Sequence, residues 1–141
     1  MVSKEKIFQK FSLLDDYLNI LKDIAKNPVN TFIKDKILLG SAKYYLQVSI
    51  ECCLDVANHI IASERLRAPR DYADSFKVIE EEGLVSGKLG KRLQQMAKFR
   101  NRLVHLYGDI DDKNVHQYIR KDVSDLVEFK SIVIDRYGKR N

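Results

Sequence analysis

An arginine and a histidine five residues apart could together perform acid–base chemistry on a phosphate. They are Arg100 and His105, in the segment Phe99-Arg100-Asn101-Arg102-Leu103-Val104-His105-Leu106-Tyr107. Histidine has an ordinary pKa of about 6.5 and so gives or takes a proton at neutral pH. Arginine stays charged, and its planar fork of N–H donors matches the oxygens of a phosphate. The pair therefore predicts a site that binds a phosphate and moves a proton beside it.

Arg100 also interrupts an apolar row on its predicted helix. The members of the row, spaced four and three residues apart, are Leu89, Leu93, Met96, Arg100, Leu103 and Tyr107. A charge in such a row must be paired, lie at an interface or line a cleft, because an unpaired buried charge is costly. Alternatively, the side chain extends past the helix edge into water.

The spacing of Arg100 and His105 raises a geometric problem. Five residues rotate an ideal helix by about 140°, so the two side chains point to different faces unless the helix ends before His105. Two copies related by a two-fold axis would bring them together and supply two histidines. We therefore predict a homodimer whose isologous interface contains Arg100 and Tyr107.

Helical periodicity predicts an all-α fold, and the chain has only 6 Gly and 2 Pro among 141 residues, too few for many tight turns. Ser3 is placed to cap a first helix that ends at Asn27-Pro28. Further helices are predicted over residues 31–63, 72–82, 87–106 and 113–137, and Asp71 and Ser86 cap two of them. We predict a single domain over residues 1–141, an antiparallel four-helix bundle with one additional short helix. The last four residues, 138–141, are expected to fray.

The long second helix is apolar on two faces, which predicts that it is the centre of the bundle. Its remaining face carries Lys43, Gln47, Glu51 and Asp55 at steps of four, a row expected to be solvated. Glu51 has a second interpretation, as a partner that reaches Arg100 from another helix.

Composition excludes several classes of protein. The net charge of +5 permits a polyanionic partner without requiring one. No apolar run is long enough for a membrane span or a signal peptide, so we expect a cytoplasmic protein without a membrane partner. The adjacent Cys52 and Cys53 favour core packing. His59 is expected to be a packed histidine or a helix-terminal cation, and His116 to be solvated. We expect no metal site and no cofactor, since acidic, His and Cys residues lack ligand spacing.

The segment from Arg100 to Tyr107 resembles the Arg-x4-His-x-Tyr signature of the HEPN superfamily, in the form of the HepT-type toxin ribonucleases of HEPN–MNT toxin–antitoxin modules. The resemblance extends over about residues 7 to 130, nearly the whole chain. It includes the central helix from Tyr45 to Ile61, Asp71-Tyr72 and Phe76 in the short helix, and Ile110-Asp111 after the motif.

This resemblance implies a homodimeric, metal-independent endoribonuclease with a composite site between protomers. Arg100 would stabilise the transition-state charge, His105 would transfer protons, and Asn101 would hold the His105 ring or contact a phosphate. Single-stranded RNA would be cut to 2′,3′-cyclic phosphate ends and DNA would not, because the RNA's own 2′-hydroxyl is the nucleophile.

The resemblance also implies an MNT-type nucleotidyltransferase antitoxin that adds AMP to Tyr107 and blocks the site. The alternative is a non-catalytic HEPN module, in which Arg100 and His105 bind a nucleotide or phosphate while the protein docks its nucleotidyltransferase. The sequence does not separate these two functions, because binding and cleaving a phosphate require the same residue types.

Overall fold

The computed structural model describes residues 1–138, and these form an antiparallel helical bundle without β-strands. Its α-helices are α1 (Lys4–Ile24), α2 (Val29–Lys34), α3 (Lys36–Ser63), α4 (Tyr72–Glu81), α5 (Gly87–His105), α6 (Asp112–Gln117) and α7 (Ser124–Tyr137). A short 3₁₀ turn, Tyr107–Asp109, follows α5, and a π-helical turn, Tyr118–Asp122, joins α6 to α7. Of the predicted frayed tail, residues 139–141 lie outside the described range. None of the helices in the described range is both long and apolar enough to span a bilayer.

Side-chain caps fix the helix starts that the sequence predicts. Ser3 Oγ accepts a hydrogen bond from the amide of Lys6 at 3.3 Å and begins α1. Asp71 caps α4 through the amide of Asp74 at 2.8 Å, and Ser86 caps α5 in the same way. Each cap satisfies one of the backbone donors that a helix start leaves without a partner.

Two predicted helices are interrupted. The helix expected over residues 31–63 is two helices, because Asp35 is extended (φ −95°, ψ 103°) and its carboxylate accepts the amides of Ile37 and Leu38. An aspartate that bonds the backbone in this way ends one helix and begins the next. The last helix, expected from residue 113, begins at Asp112 and is broken by the π-helical turn before α7.

Helix α3 is the centre of the bundle and packs against α1, α4, α5 and α7. Three phenylalanines from different helices meet edge-on in the core. Phe129 of α7 lies 6.4 Å from Phe11 of α1 and 5.7 Å from Phe76 of α4, measured between ring centroids. All three are fully buried, so the core ties the first, fourth and last helices together around α3.

The apolar row of α5 belongs to this same core. Its aliphatic members are each at most 1% exposed: Leu89, Leu93, Met96 and Leu103. The prediction that this row forms an interface between two copies is therefore wrong for these residues, because the chain's own helices already cover them.

The polar row of α3, predicted to be solvated, is solvated only in part. Lys43 is 6% exposed and its ammonium lies 3.3 Å from the carboxylate of Asp112. Asp55, two helical turns beyond Gln47, pairs with Lys10 of α1 at 2.9 Å. The row makes ionic contacts with neighbouring elements at Lys43 and Asp55, and of these two residues Asp55 is exposed.

The predictions for the remaining histidines and cysteines have mixed outcomes. His116 is buried, with Nε2 2.9 Å from the carbonyl oxygen of Asn27, so the prediction that it is solvated is wrong. His59 is packed, and its Nε2 accepts the amide N–H of Ser3 at 2.9 Å. Cys52 and Cys53 are buried core residues, as predicted, and burial raises the pKa of Cys52 to about 11.

Candidate functional site

The motif lies at the C-terminal end of α5. His105 is the last residue of this helix and is exposed to solvent. The chain leaves the helix at Leu106, whose amide donates to the carbonyl oxygen of Arg102 at 2.8 Å, and then enters the Tyr107–Asp109 turn. The prediction that Tyr107 accepts AMP depends on its side chain, which lies outside the described part of the structure.

Arg100 is held by an acidic side chain of the central helix. Its Nε donates to Oε2 of Glu51 at 2.8 Å, and its Nη2 lies 2.7 Å from the same oxygen in an ion pair. Gln47 Nε2 donates to that oxygen as well, at 3.1 Å. The Arg100 side chain is only 14% exposed, so it is paired within the bundle and does not extend into water. The interpretation of Glu51 as a solvated acid is wrong, and its interpretation as the partner of Arg100 is confirmed.

Asn101 completes the hydrogen bonding of the guanidinium. Its Oδ1 accepts from Arg100 Nη1 at 3.1 Å. Among the described contacts, each of the three guanidinium nitrogens of Arg100 thus has one protein oxygen within 3.1 Å, through two hydrogen bonds and one ion-pair contact. Two donors are left over, and an arginine that keeps its charge and two free N–H groups can bind a phosphate.

Tyr72, the first residue of α4, lies against the same guanidinium. Its ring centroid is 4.7 Å from Arg100 Cζ, within the range of a cation–π contact. The tyrosine remains 46% exposed. Arg100 is therefore fixed in two directions, by the carboxylate of Glu51 and by the ring of Tyr72.

These groups line one open cleft of about 460 Å³ between the start of α4 and the end of α5. The lining residues are Asn58, Pro69, Arg70, Asp71, Tyr72, Ser75, Arg100, Asn101 and His105. One chain thus brings Arg100 and His105 to the same cleft. Both residues line it although α5 includes His105, and Asn101, which lies between them around the helix, lines it too; the second copy suggested by their divergence stays a prediction.

The wall of the cleft opposite α5 is fixed by a clamp of charged residues. Arg67 donates to both carboxylate oxygens of Asp74, at 2.7 and 2.9 Å, and through Nε to Glu81 at 2.8 Å. The amide of Arg70 also donates to Asp74, at 2.9 Å. These hydrogen bonds, with that from Arg67 first, hold the pKa of Asp74 well below its ordinary value. The basic loop before α4 is thereby anchored, while the Arg70 side chain, 87% exposed, stays at the cleft rim.

Other parts of the described chain offer less chemistry. A larger groove of about 570 Å³ lies between α1 and the Tyr118–Asp122 turn, but none of the predicted site residues lines it. Among residues 1–138, no group of three or more His, Cys, Asp and Glu side chains is arranged to hold a metal ion.

Sequence reasoning missed three residues of the cleft as site residues: Asn58, Arg70 and Tyr72. A signal existed for Asn58, because it lies seven residues, or two helical turns, after Glu51 and so shares its face of α3. Its Oδ1 accepts from Ser75 Oγ at 2.8 Å and links α3 to α4 beneath the cleft. No local signal placed Tyr72 against Arg100, since that contact depends on how α4 packs on α5.

Comparison with known proteins assigns the fold and its motif to one family. The family model described as ribonuclease HepT-like matches residues 14–133. The chain belongs to the HepT-like ribonuclease family. This confirms the HEPN resemblance, and the match includes Arg100, His105 and the whole cleft.

Individual members of the HepT-like family are similar over most of the chain. The mRNA nuclease HepT of Shewanella oneidensis is 29% identical over 102 residues, which are 72% of this chain and 77% of that protein. The tRNA nuclease HepT of Aphanizomenon flos-aquae is 24% identical over 112 residues, 78% of this chain and 75% of that protein.

A solved structure has the same fold. It is the tri-AMPylated Shewanella oneidensis HEPN toxin in complex with MNT antitoxin, which superposes with a TM-score of 0.86 at 25% identity and covers 92% of this chain and 97% of that chain. The predicted all-helical HEPN bundle is confirmed by this agreement.

Proposed function

We propose that this HepT-like protein is an endoribonuclease that cuts single-stranded RNA with its Arg100–His105 cleft and needs no metal ion. The observation that carries the proposal is the state of Arg100. Its guanidinium lies in the same cleft as His105, is fixed by Glu51 and keeps two N–H donors without protein acceptors among the described contacts. The curated relatives named as RNA nucleases support the same activity.

In the proposed reaction the scissile phosphate binds the two remaining N–H donors of Arg100. His105 accepts the proton of the RNA 2′-hydroxyl, the 2′-oxygen attacks that phosphate, and the bond to the 5′-oxygen breaks as this oxygen receives the proton from His105, so that a 2′,3′-cyclic phosphate and a 5′-hydroxyl form. His105 transfers a proton in this step, and Arg100 stabilises the added negative charge on the phosphorane. DNA is not a substrate because it lacks the 2′-hydroxyl.

Glu51 and Asn101 are positioning residues in this mechanism. Both accept hydrogen bonds from Arg100, so they set the direction of its remaining donors. Asn101 therefore acts on the guanidinium, where the sequence had suggested a contact with the His105 ring or a phosphate.

The proposal is tested with the purified protein and end-labelled single-stranded RNA in excess EDTA. We expect the wild type to cut the RNA and leave cyclic phosphate ends, and His105→Ala to lose about 10²- to 10⁴-fold in rate, the usual contribution of a proton-transfer group. His59→Ala is the matched control, because His59 packs against the N-terminal residue Ser3, away from the cleft. Strict dependence on a divalent cation would contradict the mechanism. RNA or nucleotide binding without cleavage would favour the non-catalytic module.

We further propose that a nucleotidyltransferase of the MNT type regulates the protein by transferring AMP from ATP to the Tyr107 hydroxyl, with release of pyrophosphate. The AMPylated toxin in complex with MNT antitoxin supports this partner, and Tyr107 lies two residues after His105. A bulky anion there would fill the cleft and repel phosphate. Mass spectrometry after incubation with the partner and ATP should find the adenylate on Tyr107, and Tyr107→Phe should remain unmodified and active.

We propose a homodimer as the working form. Two exposed apolar residues flank His105, namely Val104 at 39% and Leu106 at 50% exposure. A second copy that covers them would add the partner's groups to the edge of the cleft. Light scattering should give the mass of a dimer, and Leu106→Asp should shift it toward a monomer. A monomeric wild type at the concentrations of the cleavage assay would exclude the dimer.

A further inference from the structure

Tyr72 has a position in the cleft that the packing of the bundle does not explain. The residues of α4 that enter the core are its neighbour Ala73 together with Phe76 and Ile79, all at most 9% exposed. Tyr72 instead lines the cleft, and it is 46% exposed even though the guanidinium of Arg100 covers part of its ring. A large part of its aromatic surface is therefore available to a ligand.

The side chain of Tyr72 is exposed, but hydrogen bonds anchor the helix start that carries it. It is the first residue of α4, directly after the capping residue Asp71. Two residues further on, Asp74 is held by Arg67 and by the backbone of Arg70. The ring of Tyr72 is attached to an anchored helix start and contacts Arg100, which is itself paired. It therefore loses little conformational freedom when a second planar group stacks on it.

The distances place this ring beside the phosphate site. Arg100 Cζ is 4.7 Å from the centroid of Tyr72, and the two remaining N–H donors belong to that same guanidinium. A phosphate on these donors is joined through one ribose to a nucleobase. That base is within reach of the ring, and unpaired bases stack on aromatic side chains in many single-strand binding proteins.

We propose that Tyr72 is a nucleobase-stacking platform for one nucleotide next to the scissile phosphate, so that the substrate is RNA unpaired at that position. The inference rests on the proposed ribonuclease function and identifies how that site selects its substrate. A base inside a duplex already stacks on its neighbours and cannot turn onto Tyr72.

The test measures RNA binding separately from cleavage. The probe is a fluorescent single-stranded RNA with a 2′-deoxynucleotide at the mapped cut site, so that the cut is blocked while the bases stay. We expect Tyr72→Leu to bind this RNA about 5- to 150-fold more weakly, which corresponds to the loss of one stacked base. Tyr72→Phe keeps an aromatic face and should bind as the wild type does. Tyr44→Leu is the matched control, since Tyr44 is an equally exposed tyrosine (55%) on α3 that does not line the cleft.

A series of abasic RNAs separates stacking from an indirect effect through Arg100. In the wild type, removal of one particular base next to the cut site should weaken binding more than removal of any other. In Tyr72→Leu that position should no longer differ from the others. If Tyr72 only held Arg100, Tyr72→Leu would weaken binding equally for every abasic RNA, and the profile of the wild type would be retained.

The outcomes also separate this proposal from the proposed function. A wild type that cuts RNA while Tyr72→Leu binds as tightly as wild type, or shows the same abasic profile, would overturn the stacking platform alone. A wild type that neither binds nor cuts RNA would overturn the ribonuclease function and the stacking platform with it.

Discussion

The pair between Glu51 and Arg100 gives the sharpest prediction about how the fold supports the cleft. In Glu51→Ala, Arg100 loses a charge-assisted hydrogen bond of 2.8 Å and an ion-pair contact of 2.7 Å. Breaking a fully buried pair costs about 3–5 kcal/mol, and breaking an exposed one about 0–1 kcal/mol. The side chains of Arg100 and Glu51 are 14% and 30% exposed, between these limits. We expect the free energy of unfolding to fall by about 2 kcal/mol, or the Tm by roughly 4–8 °C.

Urea unfolding of a double-mutant cycle measures this interaction. The double variant Glu51→Ala/Arg100→Ala should be more stable than the sum of the single effects predicts, because it leaves no unpaired guanidinium in the bundle. Glu51→Ala should also lower kcat for RNA cleavage, since the remaining donors of Arg100 lose their direction. It should have no further effect on kcat when Arg100 is already alanine.

Asp55→Ala is the matched control, because it also removes one acidic side chain from α3. Asp55 lies one turn later on α3 and pairs with Lys10 at 2.9 Å, but these side chains are 52% and 42% exposed, so its loss should cost about 1 kcal/mol at most. Equal stability losses for Asp55→Ala and Glu51→Ala, or an additive double variant, would refute the claim that Glu51 holds Arg100 in the cleft.

Three further predictions concern residues around the bundle. Arg67→Ala should destabilise the protein most at neutral pH. The folded pKa of Asp74 is lowered chiefly by Arg67, so the contribution is full above about pH 4, shrinks below it and is lost as the pH falls through the lowered pKa; urea unfolding at about pH 7 and about pH 2 checks this, and an equal loss at both would contradict it. His116→Ala should cost about 2 kcal/mol through the lost bond to Asn27 and a new cavity, without loss of RNA cleavage; a stability change under about 0.5 kcal/mol would contradict the buried position. Because burial raises the pKa of Cys52 to about 11, its thiol should react with iodoacetamide at pH 8 only when urea unfolds the chain, and rapid labelling of the native protein would disagree.

Local signals in the sequence account for most of the fold. The caps at Ser3, Asp71 and Ser86 act over three residues, so their effect is visible without tertiary structure. The break at Asp35 has the same cause, a side-chain oxygen that accepts backbone amides. It lies inside an otherwise continuous apolar pattern, however, and that pattern predicts a helix interior. The π-helical turn at Tyr118–Asp122 has no such local signature.

The sequence predicts which residues form the site better than it predicts how they are arranged in space. An arginine in an apolar row required a partner, and Glu51 was one of few acids on the central helix. The partner lies 49 residues away in sequence, so only the packing of α5 on α3 decides that Glu51 reaches Arg100. Tyr72 joins them for the same reason, through the packing of α4. Arg100 and His105 diverge on α5, which includes His105, yet both line the same open cleft; the dimer that their divergence suggests stays a prediction.

The central claim is that the cleft groups act through the RNA's own 2′-hydroxyl. Its most direct test is a single 2′-deoxynucleotide placed at the mapped cut site of an otherwise unchanged single-stranded RNA, with the wild type in excess EDTA. If the 2′-hydroxyl is the nucleophile, cleavage stops at this position and continues at unmodified sites. Continued cleavage at the deoxynucleotide would contradict it, because the nucleophile would then be something other than the 2′-hydroxyl.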